Sequence, residues 1–231
     1  MRLFLLHGNL GSPHDWNACL PFLEQRGFVC HAVDLWELLR NKNCSLSEAG
    51  HAVAALAPSG EPCALAGYSL GGRLALHAAA VRPEAWKGLM LLSAHPGLAD
   101  EAVRSRRLAD DLQWAERCRH MPPAAFLAAW NAQNALSGSG TGPAPDYDPK
   151  LAARAFDCWS LGRQSDFSSW LRSRPLPLLW LTGRRDARFT ALAEHCRPDA
   201  SRALPGVGHR LLQEAPQETA RHMAEFLSTL P

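Results

Sequence analysis

Short apolar runs alternate with helical patterns along this chain, and that alternation constrains the fold more than any other feature. Strands are predicted over residues 3–6, 29–34, 63–66, 86–93, 176–181 and 201–204. The run Leu89-Met90-Leu91-Leu92 is apolar at every position, as a strand covered on both faces requires. Helices are predicted over about 15–25, 45–57, 71–81, 189–196 and 216–230. Ser45-Leu46-Ser47-Glu48 reads as a capping box that opens one of them. Strand and helix in alternation predict an α/β chain with a doubly wound, mostly parallel sheet. The rhythm breaks once, between residues 95 and 170, where the pattern is helical and rich in charge and tryptophan. It is interrupted there by Ser137-Gly138-Ser139-Gly140-Thr141-Gly142-Pro143, read as a connection inside the segment. A helical insertion between sheet strands covers the strands' carboxyl ends, where open α/β sheets bind ligands. The expected division is a core of residues 1–94 and 171–231 and a helical cap of residues 95–170.

Bulk properties exclude several classes. The 24 basic and 22 acidic residues leave a formal charge of +2, without the clustered excess of a nucleic-acid binder. Seven cysteines, odd in number and without a CxxC pair, predict free thiols in a reducing compartment rather than disulfides or a zinc site. Met1-Arg2 runs straight into the first strand without a leader pattern, and no apolar run approaches the ~20 residues of a membrane span. A cytoplasmic protein is expected, with no membrane or nucleic-acid partner, as a monomer or weak homo-oligomer. HExxH, a Walker loop and GxGxxG after a strand are all missing from the sequence, so no metal or cofactor is expected.

The chemistry centres on Gly67-Tyr68-Ser69-Leu70-Gly71. This G-x-S-x-G lies between a strand and an apolar helix, the setting of the nucleophile elbow of the α/β-hydrolase fold. The turn is so sharp that strand and helix backbones nearly touch, which demands small residues at Gly67, Gly71 and Gly72. A serine hydroxyl needs a histidine to take its proton and a carboxylate to orient that histidine. In this fold the order is serine, acid, histidine. Asp186 follows a strand in Thr182-Gly183-Arg184-Arg185-Asp186, and His209 follows the last strand in Gly206-Val207-Gly208-His209. Asp166, His195 and His222 compete less well, the first from the cap and the others from within helices. The backbone N–H groups of Leu70 and of Asn9, after the first strand, are the expected oxyanion donors. Because the chain opens on its first buried strand, the sheet is expected without an N-terminal hairpin.

Several segments together resemble the 2-succinyl-6-hydroxy-2,4-cyclohexadiene-1-carboxylate synthase (MenH) family of menaquinone biosynthesis. They are Leu6-His7-Gly8, the elbow through Arg73, His95-Pro96-Gly97-Leu98, Arg104-x-x-Arg107, Gln113-Trp114, Trp130 and Gly206-x-Gly208-His209. The elbow is common to the whole superfamily, whereas residues 95–114 are far more specific, because caps vary most. The resemblance implies a carbon–oxygen lyase. Its triad would remove a ring proton from 2-succinyl-5-enolpyruvyl-6-hydroxy-3-cyclohexene-1-carboxylate, with loss of pyruvate. It further implies that Tyr68, Arg73, Arg107 and Trp130 bind this small polycarboxylate. Arginine suits that task because its planar fork meets a carboxylate at two points. Arg73 stands four residues after Ser69, on the same helix face. The family's Pro-Gly-His-Gly is replaced by Trp36-Glu37-Leu38-Leu39. A third family arginine has no counterpart in register, Lys150, Arg154 and Arg163 being the candidates. The alternatives are a carboxylester or thioester hydrolase of a small acidic substrate, with the same triad, and a non-catalytic binding protein. Arginines turned inward would separate the lyase from a hydrolase of neutral esters.

Overall fold

The computed structural model describes residues 1–40, 44–134, 136, 139 and 147–230. Its strands are β1 (Arg2–Leu6), β2 (Val29–Val33), β3 (Cys63–Tyr68), β4 (Leu89–Leu92), β5 (Leu178–Gly183) and β6 (Ala200–Leu204). They form one six-stranded sheet in the order β2-β1-β3-β4-β5-β6, every pair parallel. The chain leaves β1 for β2 on one side and returns to β3 on the other. The loops after β1 and β3 therefore diverge and leave a crevice at the strands' carboxyl ends.

The helices are α1 (Leu20–Glu24), α2 (Glu37–Arg40), α3 (Leu46–Ala55), α4 (Leu70–Val81), α5 (Glu101–His120), α6 (Pro123–Asn131), α7 (Pro149–Cys158), α8 (Ser168–Ser173), α9 (Ala187–Cys196), α10 (Leu211–Glu214) and α11 (Pro216–Leu227). Side chains alternate across each strand, so an all-apolar strand feeds two cores. Leu89 and Leu91 of β4 join Leu74 and Ala78 of α4 on one face. Met90 and Leu92 join Met223 and Phe226 of α11 on the other. The segment between β4 and β5 carries α5 to α8 and has an apolar cluster of its own, built on Ala115, Phe126, Ala152 and Phe156. Among the described residues outside this segment, only Leu10, in the loop after β1, belongs to the cluster's buried members.

The predicted strands and main helices are present, with boundaries moved by identifiable residues. The helix expected over 15–25 is a 3₁₀ turn, Pro13–Trp16, followed by the short α1. Pro21 has no N–H with which to continue an α-helical ladder from residue 17. The strand expected at 176–181 begins at Leu178, because Pro177 cannot donate to the ladder. The strand expected at 86–93 is reduced to Leu89–Leu92, with a 3₁₀ turn at Pro83–Ala85 before it. The short helices α2 and α10 have no counterpart among the expected elements. The capping box is formed: Ser45 Oγ accepts from Glu48 N–H at 3.2 Å, and Glu48 Oε2 accepts from Ser45 N–H at 2.8 Å. Of the Gly/Ser connection at 137–143, Ser139 alone is among the described residues. All seven cysteines are free thiols.

Helices α3 and α4 meet at Gly50, where an added Cβ would lie 2.6 Å from His77 Cβ and 2.9 Å from its carbonyl carbon. Helix propensity favours alanine over glycine by about 1 kcal/mol. Overpacking against backbone that cannot give costs about 1–3 kcal/mol and should win. Gly50→Ala is expected to lower the unfolding free energy in urea titration by about 1–2 kcal/mol; a stabilised variant would contradict this packing.

Candidate active site

Strand β3 turns into α4 through one residue, Ser69, at φ 52° and ψ −110°. A serine at positive φ is strained, and such a conformation persists only when its surroundings impose it. Ser69 N–H donates to Leu92 O at 2.8 Å, and Arg73 N–H donates to Ser69 O at 3.2 Å. A Cβ on Gly67 would overlap the backbone of Gly71, and one on Gly71 would overlap the carbonyls of Leu6 and His7. The elbow's glycines thus draw β3, α4 and the end of β1 to backbone contact.

The acid and the histidine are brought together in the same way. A Cβ on Gly183, at the end of β5, would overlap the carbonyls of Val207 and Gly208. Arg185 N–H donates to Val207 O at 2.9 Å, so the loops after β5 and β6 are stitched side by side. His209 Nδ1 lies 2.6 Å from Asp186 Oδ2, and His209 Nε2 lies 3.1 Å from Ser69 Oγ. With Nδ1–H donated to the carboxylate, the lone pair on Nε2 faces the serine hydroxyl. Asp186 and His209 are 6% and 5% exposed, which shields this chain of hydrogen bonds from water. Glu214 fixes the histidine loop from both sides. Its carboxylate accepts from Gly208 N–H at 3.0 Å and from Arg210 N–H at 3.1 Å. The Arg185 guanidinium balances its charge at 2.8 Å. His209 N–H itself donates to Ser139 Oγ at 2.8 Å.

Ser69 and His209 open onto a cavity of about 690 Å³. Asn9 and Leu70 line it, and among the described residues neither backbone N–H has a hydrogen-bond acceptor. Tyr68, Arg73, Arg107 and Trp130 line it as well, beside Ser69 and His209. The Tyr68 ring packs against Gly8 and lies 5.8 Å from the His209 ring; burial pushes its phenol up. Trp130 stacks edge-on with Trp114 and Phe156 at 5.2 and 5.1 Å, so its position is set by the helices between β4 and β5.

The arginines are held by different means. Arg73 donates to Trp159 O at 2.8 Å and Gln164 Oε1 at 3.3 Å, both neutral acceptors. Burial, followed by the nearby Arg107, pulls its guanidinium down to about 10. Arg107 pairs with Asp111 at 2.9 Å. Asp111, 5% exposed, also accepts from Ser160 Oγ at 2.7 Å and Leu161 N–H at 3.1 Å. One buried carboxylate thus ties α5 to the turn after α7 and aims Arg107. His95 lines the cavity too. Burial and then Arg188 hold its imidazole down at about 3, so it is neutral.

The candidates for a further arginine do not reach this wall. Arg154 donates to Arg40 O, Arg163 pairs with Asp157, and Lys150 is exposed at the start of α7. Beyond Arg73 and Arg107, the arginines that do line the cavity are Arg188 and Arg210, the latter donating to Asn131 Oδ1. A signal for Arg188 existed: it lies two residues after Asp186, on the first turn of a helix that begins at the sheet's carboxyl edge. Glu214 and Asp111 carried no such signal, because the ties of Glu214 to Arg185 and of Asp111 to Ser160 and Leu161 join distant segments. Among the described residues no group of three or more His, Cys, Asp or Glu could hold a metal ion. No described helix is long and apolar enough to cross a membrane.

Residues 3–222 match the model of the alpha/beta hydrolase family. The 2-succinyl-6-hydroxy-2,4-cyclohexadiene-1-carboxylate synthase of Pectobacterium atrosepticum is 31% identical over 98% of this chain and 93% of its own length. Among solved structures, MenH from S. aureus superposes with a TM-score of 0.88 at 18% identity, over 99% of this chain and 93% of that one. A thermophilic esterase from Thermogutta terrifontis follows at a TM-score of 0.73 and 18% identity, over 99% of this chain and 89% of that one. The two structural likenesses carry the fold, and the sequence match carries the family. The chain belongs to the alpha/beta hydrolase family and, within it, to the 2-succinyl-6-hydroxy-2,4-cyclohexadiene-1-carboxylate synthases.

Proposed function

We propose that this protein eliminates pyruvate from 2-succinyl-5-enolpyruvyl-6-hydroxy-3-cyclohexene-1-carboxylate, with Ser69, His209 and Asp186 acting as a base rather than as an acylating nucleophile. The observation that carries this reading is the company the serine keeps. A hydroxyl hydrogen-bonded to a histidine faces a cavity whose wall holds Arg73 and Arg107. A neutral ester has no use for those charges, whereas a substrate with several carboxylates needs them.

In the proposed reaction His209 Nε2 takes the proton of Ser69 as the serine oxygen takes the ring proton of the substrate. The C–H electrons form the new ring double bond, and the C–O bond to the enolpyruvyl group breaks. The departing enolate is protonated to pyruvate, for which the imidazolium is the nearest acid. Asp186 holds the imidazole in the working tautomer and stabilises its charged form. The Asn9 and Leu70 amides offer two donors to negative charge that builds on the substrate as the proton leaves. Arg73 and Arg107 bind carboxylates, while Tyr68 and Trp130 bound the ring. We assign residues 95–170 the part of a cap that brings Arg107 and Trp130 over a core made of the remaining residues.

Incubated with this substrate, the protein should release pyruvate in step with the rise in ultraviolet absorbance of the conjugated diene. Efficient cleavage of p-nitrophenyl acetate without pyruvate release would establish a hydrolase instead. Ser69→Ala should keep its fold and lose on the order of 10³-fold or more in turnover; activity within tenfold of wild type would remove Ser69 from the mechanism. Arg73→Ala and Arg107→Ala should each cost about 2–4 kcal/mol in kcat/KM. The lysine variants should recover only part, since an ammonium cannot reproduce the two-point fork. Full recovery by lysine would show that charge alone matters.

A further inference from the structure

We infer that Arg188 is a third carboxylate-binding residue of the cavity and makes the site selective for a substrate with a third anionic group. The inference rests on the reading proposed above. Arg188 sits on the first turn of α9, two residues beyond Asp186, and lines the same cavity as Ser69 and His209. Its guanidinium lies 6.0 Å from the centroid of the Phe189 ring. That ring in turn packs 4.6 Å from the His209 ring and 6.2 Å from the His95 ring. Arg188 therefore stands beside the reacting serine–histidine pair, on the β5 side of the cavity.

Its bonding differs from that of the two arginines already assigned. Arg73 places its donors on a carbonyl and an amide, and Arg107 places its own on Asp111. Among the described residues Arg188 makes no hydrogen bond or ion pair, although its neighbour Arg185 pairs with Glu214. Arg107 bears on both Arg73 and Arg188. Burial and then Arg107 lower the pKa of Arg188, just as they lower that of Arg73. Asp186, whose charge works the other way on Arg188, is committed to His209. Arg73, Arg107, Arg188 and Arg210 thus line one cavity with Asp15, and Arg107 is the one of them that pairs with Asp111. Such a cluster repels itself until anionic ligands balance it. With Arg73 and Arg107 each meeting one carboxylate, the donors of Arg188 are left for a third.

The test uses the whole protein and two chain-like probes, glutarate and propane-1,2,3-tricarboxylate, titrated calorimetrically. Wild type should bind the tricarboxylate about tenfold or more tightly than the dicarboxylate, the increment of one charge-assisted contact. Arg188→Gln should erase that gap with an unchanged melting temperature, and Arg188→Lys should restore part of it. Arg104→Gln, a change outside the cavity wall, should leave the gap whole. In the pyruvate assay Arg188→Gln should lose about tenfold or more in kcat/KM. If wild type releases no pyruvate yet shows a gap that Arg188→Gln erases, the proposed reaction fails and the Arg188 site stands. A gap missing from wild type overturns the inference. So does an Arg188→Gln variant that keeps both the gap and a kcat/KM within twofold of wild type.

Discussion

The rest of the site depends on one constraint, the backbone crossing at the elbow. Ser69 is held at φ 52° because β3 and α4 must reverse within a single residue, and the glycines on either side allow the two backbones to touch. That geometry lifts the hydroxyl above the sheet and points the start of α4 at the cavity. It also brings to one cavity the Asn9 and Leu70 amides that we propose as oxyanion donors: the same contact that admits no Cβ on Gly71 presses α4 against the end of β1. A second close approach, Gly183 against Gly208, does for Asp186 and His209 what the first does for Ser69. Catalytic geometry here is set mainly by where backbones meet. The triad side chains then need only ordinary hydrogen bonds to fall into line.

Charge is the second organising element. Burying a guanidinium without an anionic partner costs free energy, and Arg73 is half-buried with its hydrogen bonds on neutral acceptors. The helices between β4 and β5 offset part of this by bringing Asp111 to Arg107, yet the wall remains net positive. Such an arrangement would be a poor choice for stability and is a sensible one for binding, since the missing anions arrive with the ligand. The fold shared with the esterase of Thermogutta terrifontis shows how little the scaffold decides. The distinction we propose lies in the arginines that α4, the helices between β4 and β5 and the first turn of α9 bring to the cavity.

The parts of this design that were legible in the sequence are those governed by local rules. The all-apolar run at β4, the capping box at Ser45 and the G-x-S-x-G between strand and helix each follow from neighbours in the chain. Asp186 and His209 were legible because topology puts them at strand ends in a known order. Strand and helix limits went astray wherever a proline removed a donor, as at Pro21 and Pro177. Arg188 had a local signal in its place just after Asp186, whereas Glu214 and Asp111 were not legible. Their ties to Arg185 and to Ser160 join segments far apart in sequence, and no short-range pattern records such pairings.

The central claim is that the triad removes a proton from carbon and does not form an acyl-enzyme. The measurement that addresses it most directly is the single-turnover rate of diene formation on substrate carrying deuterium at the ring carbon that loses its proton. Deuteration should slow the reaction by a primary isotope effect, because breaking that C–H bond is the chemical step assigned to Ser69 and His209. Equal single-turnover rates for the protium and deuterium substrates would contradict the account.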